Sequence, residues 1–508
     1  MFKFLLTRLS KNINLIIRIN TKQKKGCLKF MKLNNEKFQE SFFKSQGEVI
    51  INNKKVSYDI ISEDNVILSD DGRALGSIFS FSYIRNDIED NKNRPVIFAY
   101  NGGPGSSSLW LHIGLLGPRR AKIDDPINIP IVPPFELEDN PHSLLDICDI
   151  VMIDPVDCGY GKLIDPQAAS EFFSIEKDAQ SIAIFIKNWL IKHNRWNSPK
   201  YLLGESYGTV RSSVLANILM GGPTTSVLEL LGISINGIIM LGTTIPVNAK
   251  KSLMYTFDSS IEDSVIYLPT MAATNWYHNN IQNISLSNFV EEAYEFAAEE
   301  YLKNLYLGNR LSKEEEDKFR KKLAYYTGIS EDYLEERNYR ITLKEFASEL
   351  LREKGLKVGE YDSRYTLKYS NNIGMEEPIS DEAAMGQYTP LFVGAMDKYL
   401  KEELKIDFIR PYNVINFKVN RMFKPDHMKQ PIEYLRAALR RNKSLNLFIG
   451  SGYYDLVTTI GAARYMAANL PKDQVTLKEY ESGHMSYIGE KSAKELRKDL
   501  EDFIVSSK

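Results

Sequence analysis

Residues 201–219 constrain the fold of this chain more than any other stretch. Residues 201–203 predict a short buried strand, and Gly204-Glu205-Ser206-Tyr207-Gly208 follows it directly. An amphipathic helix is predicted next, because an apolar residue recurs every four positions at Val210, Val214 and Ile218. Glycines on both sides of Ser206 permit a tight strand-to-helix turn that exposes a serine hydroxyl. The alternative interpretation is a plain glycine-rich turn.

Strand-like and helical segments alternate along much of the chain. Residues 48–60 and 75–85 have alternating apolar positions and predict antiparallel strands around the Asp70-Asp71-Gly72 turn. Short apolar runs predict more strands, at residues 96–100, 147–153, 237–241, 445–449 and 475–480. Residues 173–194 have helical spacing, with a core stripe at Ile175, Ala179, Ile182, Ile186 and Trp189. This alternation predicts an α/β fold with a mostly parallel central sheet flanked by helices.

Composition divides the 508 residues into four predicted parts. Residues 1–44 form a basic segment that is disordered or serves targeting, since residues 1–35 carry nine Lys or Arg and no acid. Residues 45–243 and 441–508 form the two parts of the α/β core. Residues 244–440, rich in Tyr, Lys and Glu, form a large helical insertion between them.

Charge and hydropathy exclude several classes of partner. A net charge of -2 gives no general attraction to nucleic acid, and no apolar run reaches the roughly 20 residues of a transmembrane helix. The three cysteines are scattered and have no metal-site spacing, so we expect no metal. They also fit a reducing compartment. We therefore favour a cytoplasmic location and leave secretion, an organelle and the oligomeric state open.

A serine nucleophile needs a histidine base, which an acid must orient. In proteins with this type of serine turn, the acid and then the histidine follow the serine along the chain. Asp455 follows the predicted strand at 445–449, and His484 follows the predicted strand at 475–480. Taken singly, His484 is better explained as a surface-loop histidine and Asp455 as a helix cap. Their shared order and placement predict a triad of Ser206, Asp455 and His484.

The glycine-rich loop Asn101-Gly102-Gly103-Pro104-Gly105 follows the predicted strand at 96–100. Such a loop brings backbone N–H groups close to negative charge. A phosphate site is disfavoured, because neither a Lys-Ser/Thr pair nor a G-x-G-x-x-G pattern is present. Acyl transfer instead needs two N–H donors for an oxyanion, one of them from the residue after the nucleophile. We therefore expect Tyr207 and this loop to supply them.

The segments NGGPGSSSLW, GESYGT, GYYDLVTTIGAARY and ESGHM together resemble the serine carboxypeptidase family over most of the chain after residue 45. The resemblance implies an α/β-hydrolase fold with a helical cap and no cofactor. It assigns the triad to Ser206, Asp455 and His484. It places the oxyanion hole at the backbones of Gly103 and Tyr207. It also implies that Asn101 and Glu205 bind the terminal carboxylate of a peptide substrate, and that Asp154-Pro155 and Gly159-Tyr160 line the cleft.

Two departures set this chain apart from typical eukaryotic members of that family. Ser106 stands where those members have a disulfide-bonded cysteine, so the resemblance is closer to the disulfide-free type. Leu115 stands where they have a second glutamate that shares a proton with the residue matching Glu205. Glu205 must then be protonated alone or be offset by a cation, for which Arg119 and Arg120 are near in sequence. We therefore hypothesise that the acidic pH optimum and strict carboxypeptidase specificity are weakened.

These features together predict a serine-type carboxypeptidase that hydrolyses C-terminal peptide bonds through an acyl-enzyme. An esterase or acyltransferase with the same triad is the alternative among enzymes. A catalytically inactive binding protein on the same fold is the alternative from another class.

Overall fold

A computed structural model describes residues 38–221, 230–245, 260–369, 381–424 and 430–507. The described residues from Phe42 onward belong to one compact unit. Most of the basic segment predicted at residues 1–44 lies outside the described residues. The predicted boundaries of the insertion, at residues 244 and 440, remain predictions.

A ten-stranded mixed sheet forms the centre of this unit. Its nine main strands are β1 Phe42–Ile51, β2 Lys54–Leu68, β3 Ala74–Arg85, β4 Val96–Tyr100, β5 Asp149–Asp154, β6 Lys200–Glu205, β7 Gly237–Leu241, β8 Asn446–Gly452 and β9 Val475–Tyr480. They lie in the order β1-β2-β3-β5-β4-β6-β7-β8-β9. In this order, each pair of neighbours from β1 to β5 is antiparallel. Each pair from β5 through β4 and β6 to β9 is parallel. A short tenth strand, Lys162–Leu163, pairs antiparallel with β3. This architecture confirms the predicted α/β class.

The prediction of one strand over residues 48–60 is wrong, because a hairpin turn interrupts it. Ile51 and Lys54 pair across the turn, and Asn52 and Asn53 have φ values of 50° and 59°. Asparagine tolerates this left-handed conformation better than most residues, and a two-residue turn of this kind matches the twist of the paired strands. The chain therefore forms β1 and β2 where the alternating pattern predicts a single strand.

Helices cover both faces of the sheet. Those of eight residues or more are α1 Ile175–Lys192, α2 Tyr207–Leu219, α3 Ile261–His278, α4 Leu286–Phe296, α5 Lys313–Thr327, α6 Met385–Lys398, α7 Pro431–Arg441, α8 Ile460–Ala468 and α9 Glu490–Ser506. Alternate residues of the strands face opposite ways, so Val96 and Phe98 pack with α1, α2, α7 and α8. Ile97 and Ala99 pack with α6 and α9 on the other face. The predicted stripe on α1 is buried throughout.

Shorter elements complete the described fold. The short α-helices are Leu109–Leu111, Leu302–Leu307, Glu331–Glu336, Leu343–Glu349 and Phe417–Met422. His112–Leu116, Ala297–Tyr301 and Tyr399–Glu403 are π-helical, and Pro166–Glu171, Gly308–Arg310, Arg352–Lys354 and Lys472–Gln474 are 3-10 turns. Two small antiparallel pairs join Arg119–Ala121 to Leu137–Asp139 and Leu356–Val358 to Thr366–Lys368.

The helices between residues 260 and 358 have hydrophobic clusters of their own. Leu456 belongs to the largest of these clusters, while Tyr454 and Ile460 belong to a second. These three residues lie in or next to the loop that follows β8. The helical region therefore packs directly on the loop that carries Asp455. The carboxyl ends of the parallel strands meet at this edge of the sheet, which is where ligands bind in open α/β sheets.

Candidate active site

Ser206 occupies a strained turn between β6 and α2. Its φ and ψ are 58° and -126°, outside the regions that non-glycine residues favour. The flanking glycines make this turn possible, since a Cβ on Gly204 would lie 2.2 Å from the carbonyl oxygen of Gly208. The backbone N–H of Ser206 donates to the carbonyl of Leu241 at 2.9 Å, which ties the turn to the end of β7. This is the geometry predicted for an exposed nucleophile.

The glycine-rich loop after β4 lies directly against this turn. A Cβ on Gly102 would be 2.4 Å from the backbone nitrogen of Tyr207, so only glycine allows the two segments to approach this closely. Gly103 has a φ of 103°, a conformation that L-residues rarely adopt. Its N–H donates no hydrogen bond to the described part of the chain. The sequence-predicted donors Gly103 and Tyr207 are thus brought to the same place.

Hydrogen bonds hold this loop, which has Ser106 where typical relatives have a disulfide-bonded cysteine. Asp154, buried at the end of β5, accepts from the backbone N–H and the hydroxyl of Ser108, each at 2.8 Å. The hydroxyl of Tyr412 donates to the same carboxylate at 3.0 Å. The backbone of residues 413–416 also pairs with the loop, through Ser107 to Val414 at 2.9 Å and Asn416 to Gly105 at 2.8 Å.

Asp455 lies in the loop after β8 and is fully buried. One carboxylate oxygen, Oδ1, accepts from the backbone N–H groups of Val457 and Thr458, both at 2.8 Å. The other, Oδ2, lies 2.8 Å from Nδ1 of His484 and accepts from the hydroxyl of Thr458. Because the carboxylate accepts from Nδ1–H, it leaves Nε2 of His484 with the lone pair that a base needs.

The imidazole of His484 lies beside the end of β7. A Cβ on Gly242 would be 3.0 Å from Cε1 of His484, so the ring packs against Gly242. Gly242 directly follows Leu241, whose carbonyl accepts from the N–H of Ser206. Burial disfavours the imidazolium, but the charge and hydrogen bond of Asp455 outweigh burial, with help from Glu205, and raise the pKa of His484. Among the described side chains no hydrogen bond joins His484 to Ser206.

A segment of the helical region that was not predicted from the sequence fixes His484 from the other side. The carbonyl of Tyr361 accepts from the N–H of His484 at 2.6 Å, and its ring meets the imidazole edge to face at 5.0 Å. The carboxylate of Asp381 accepts from the N–H groups of Glu360 and Tyr361, both at 2.9 Å. Glu360 in turn accepts from Leu456 at 2.9 Å. These contacts join the loop that carries Asp455 to the loop that carries His484.

Asn101 and Glu205 form a buried pair next to Ser206. The side-chain amide of Asn101 donates to Oε2 of Glu205, and the hydroxyl of Tyr487 donates to the same oxygen at 3.4 Å. Oε1 of Glu205 is buried and has no hydrogen-bond partner among the described residues. Burial raises the pKa of Glu205 to about 7, against the lowering effects of His484, Tyr487 and Asn101. Glu205 is thus a carboxyl group that changes charge near neutral pH.

Leu115 and its neighbouring arginines provide neither a second carboxyl nor a cation for Glu205. Leu115 is buried in the hydrophobic core. Arg119 pairs with Asp139 and Glu403, and Arg120 pairs with Glu138 and Glu490. Both arginines are therefore engaged elsewhere, which removes the cation alternative for these two residues.

Two further observations concern the described part of the chain. It contains no cluster of three His, Cys, Asp or Glu residues that could hold a metal ion. It also contains no helix long and apolar enough to span a membrane.

Comparison with known proteins identifies the family. The family model of serine carboxypeptidases matches residues 77–495, well over half of the chain. Serine carboxypeptidase-like 36 of Arabidopsis thaliana is 26% identical over 159 residues, which is 31% of each chain. Serine carboxypeptidase-like 19 of the same plant is 28% identical over 149 residues, 29% of this chain and 31% of the relative. These alignments thus span about a third of the curated relatives.

A solved structure has the same fold. Kex1, a prohormone-processing carboxypeptidase from Saccharomyces cerevisiae, matches with a TM-score of 0.52 and 15% identity, over 88% of this chain and 91% of Kex1. This match confirms the predicted α/β-hydrolase fold. The family model confirms the resemblance based on the sequence motifs. The chain therefore belongs to the serine carboxypeptidase family.

Proposed function

We propose that this protein is a serine carboxypeptidase that hydrolyses C-terminal peptide bonds through an acyl-enzyme at Ser206. The observation that carries the proposal is the buried 2.8 Å contact between Asp455 and His484, at the sheet edge where the strained turn presents Ser206. A buried Asp–His pair at the same sheet edge as a half-buried serine on a strained turn supports activation of a hydroxyl nucleophile.

The proposed reaction assigns each step to a named residue. The hydroxyl oxygen of Ser206 attacks the scissile carbonyl carbon while Nε2 of His484 takes the hydroxyl proton. Asp455 stabilises the imidazolium, and the N–H groups of Gly103 and Tyr207 bind the oxyanion. The imidazolium then gives its proton to the leaving amine. Water, activated by the same histidine, attacks the acyl ester and releases the acid.

Recognition of the substrate's C-terminus is proposed for Asn101 and Glu205. When protonated, Glu205 can donate a hydrogen bond to a peptide carboxylate, and when ionised it repels that carboxylate. The pKa of about 7 keeps the protonated form available up to neutral pH. With Leu115 in place of a second acid, we expect no strong preference for free carboxylates that peaks near about pH 5.

The decisive experiment compares N-blocked dipeptides, with free or amidated C-termini, and short acyl esters from about pH 4 to about pH 8. The Ser206→Ala variant should lose at least about 10⁴-fold in kcat. The matched control is Ser213→Ala, which changes a buried serine in α2, the helix that follows Ser206; the Ser213 hydroxyl donates to the carbonyl of Thr209. Turnover of esters alone would indicate an esterase or acyltransferase. An inactive wild type would indicate a binding protein.

A further inference from the structure

Tyr487 contacts Glu205 from a position that neither the family motifs nor the proposed mechanism uses. It lies three residues after His484 and is almost fully buried. Its hydroxyl donates to Oε2 of Glu205 at 3.4 Å, which is long for such a bond. The amide of Asn101 donates to the same oxygen. Both donors therefore lie on one oxygen of the carboxyl group, and Oε1 has none among the described residues.

This asymmetry determines which oxygen of neutral Glu205 carries the proton. A proton on Oε2 would point at one of two donors, the hydroxyl of Tyr487 or the amide of Asn101, and would leave that donor without an acceptor. A proton on Oε1 keeps both hydrogen bonds. The neutral carboxyl group therefore carries its proton on Oε1, the buried oxygen that has no hydrogen-bond partner among the described residues.

Packing fixes the ring of Tyr487 independently of Glu205. A Cβ on Gly114 would lie 2.5 Å from Cε2 of Tyr487 and 3.3 Å from Cε1 of Phe392. Glycine at position 114 thus makes room for the tyrosine ring, and Leu115 follows it in the buried π-helical turn. A phenylalanine at position 487 would keep this packing and remove only the hydroxyl.

We propose that Tyr487 is a positioning residue that holds the Glu205 proton on Oε1 and so favours peptides with a free C-terminal carboxylate. This inference rests on the proposed carboxypeptidase function. In this arrangement a neutral hydroxyl group assists Glu205, while Leu115 occupies the position where typical relatives have a second acid. The specificity for the C-terminus then depends on one titrating carboxyl group and two neutral donors.

The test is the Tyr487→Phe variant, assayed at about pH 6 with one N-blocked dipeptide as its free acid and as its amide. We expect KM for the free acid to rise about 3- to 10-fold, because one hydrogen bond is lost while Asn101 still donates. KM for the amide should stay the same. The readout is the kcat/KM for the free acid divided by the kcat/KM for the amide. Protonation of His484 changes both values by the same factor and therefore does not change this ratio.

The pH profile gives a second readout. The hydroxyl of Tyr487 stabilises ionised Glu205, so Tyr487→Phe should raise the pKa of Glu205. The alkaline limb of the kcat/KM profile for the free-acid substrate should therefore move to higher pH. The other groups that act on Glu205 are His484, whose charge lowers its pKa, Asp455, whose charge raises it, and neutral Asn101. All three are unchanged in the variant. A merely structural role would reduce turnover of both substrates and leave this limb in place.

Controls separate the possible failures. Tyr480→Phe removes another buried hydroxyl, one that donates to Asp499 at 3.0 Å, and should leave the substrate ratio unchanged. In a Glu205→Gln background, Tyr487→Phe should no longer change the ratio. A wild type that prefers the free acid, with an unchanged ratio in Tyr487→Phe, would overturn the inference alone. A wild type without that preference would overturn the proposed recognition of the C-terminus and this inference with it.

Discussion

Glu205 is the residue at which burial and charge conflict most directly in the candidate site. Its pKa is raised from 4.5 to about 7, so the folded state holds the proton more tightly than the unfolded chain does. The stability that protonation supplies is complete below about pH 4.5 and is lost as the pH rises through about 7. Above that pH the buried negative charge opposes folding, although His484 and Asn101 offset part of the effect.

Glu205→Gln should therefore stabilise the protein selectively at alkaline pH. A neutral amide of the same shape avoids the buried charge, so the gain in unfolding free energy at pH 8 should exceed the gain at pH 4.5 by about 2 to 3 kcal/mol. Urea unfolding of both proteins at the two pH values measures this difference. An equal effect at both pH values would mean that Glu205 is not the titrating group.

Asp455→Asn tests the orientation of His484. An asparagine can turn its NH₂ group toward Nδ1, which places the ring proton on Nε2 and removes the base. We expect kcat to fall roughly 10³- to 10⁴-fold at pH 8, with a much smaller change in KM. The fold should be retained, because the side-chain oxygen can still accept from Val457 and Thr458. A loss of less than tenfold would contradict the assigned role.

Much of the candidate site could be predicted from residues that lie near one another in sequence. The turn at Ser206 has a local glycine signature, and the Asp455 and His484 loops each follow a recognisable strand. Thr458 is also local, since a threonine three residues after an aspartate is a common capping arrangement. Tyr361 and Tyr487 have no such signal. Their roles depend on contacts with His484 and Glu205 that only the folded chain creates.

At the scale of elements, buried strands and the amphipathic helix were predictable, and the first hairpin was not. Strands β7 and β9 match their predicted ranges, and α1 has its predicted stripe, because each has a continuous apolar pattern. In contrast, the alternation over residues 48–60 continues through Asn52 and Asn53, so periodicity alone does not reveal the turn. Two adjacent asparagines were the available signal, since both accept positive φ values.

The loop that carries Gly103 is an element whose shape depends on hydrogen bonds to Asp154. In Asp154→Asn, an amide nitrogen would face either the N–H of Tyr160 or the donors of Ser108 and Tyr412, and one interaction would become repulsive. We expect stability to fall by about 1 to 3 kcal/mol. We also expect kcat to fall roughly 10- to 100-fold, with KM little changed, because the oxyanion donor moves.

A surface variant provides the control for this experiment. Asp139→Asn removes an exposed partner of Arg119, and it should change neither the unfolding midpoint nor kcat noticeably. If Asp154→Asn lowered stability but left kcat intact, the loop would keep its geometry without this carboxylate. The proposed link between Asp154 and the oxyanion hole would then be wrong.

At the scale of the whole molecule, the region between β7 and β8 is part of the structure that holds the site. Its Tyr361 segment contacts the His484 loop, and residues 413–416 pair with the glycine-rich loop. Helix α7 packs against the same face of the sheet as α1 and α2. The sequence indicated a helical insertion because its composition changes, but composition does not show which parts pack onto the core. That arrangement depends on pairings between residues far apart in sequence.

The described cysteines form no disulfide, which predicts that the protein is insensitive to reducing agents. Cys148 and Cys158 are free, and both are buried. Burial raises the pKa of each thiol, which keeps it protonated and unreactive at neutral pH. The glycine-rich loop has Ser106 at the position of the family disulfide and is held by Asp154 and the backbone of residues 413–416. Millimolar dithiothreitol should therefore change neither the thermal unfolding midpoint nor kcat/KM, whereas a clear drop in either would indicate a stabilising disulfide.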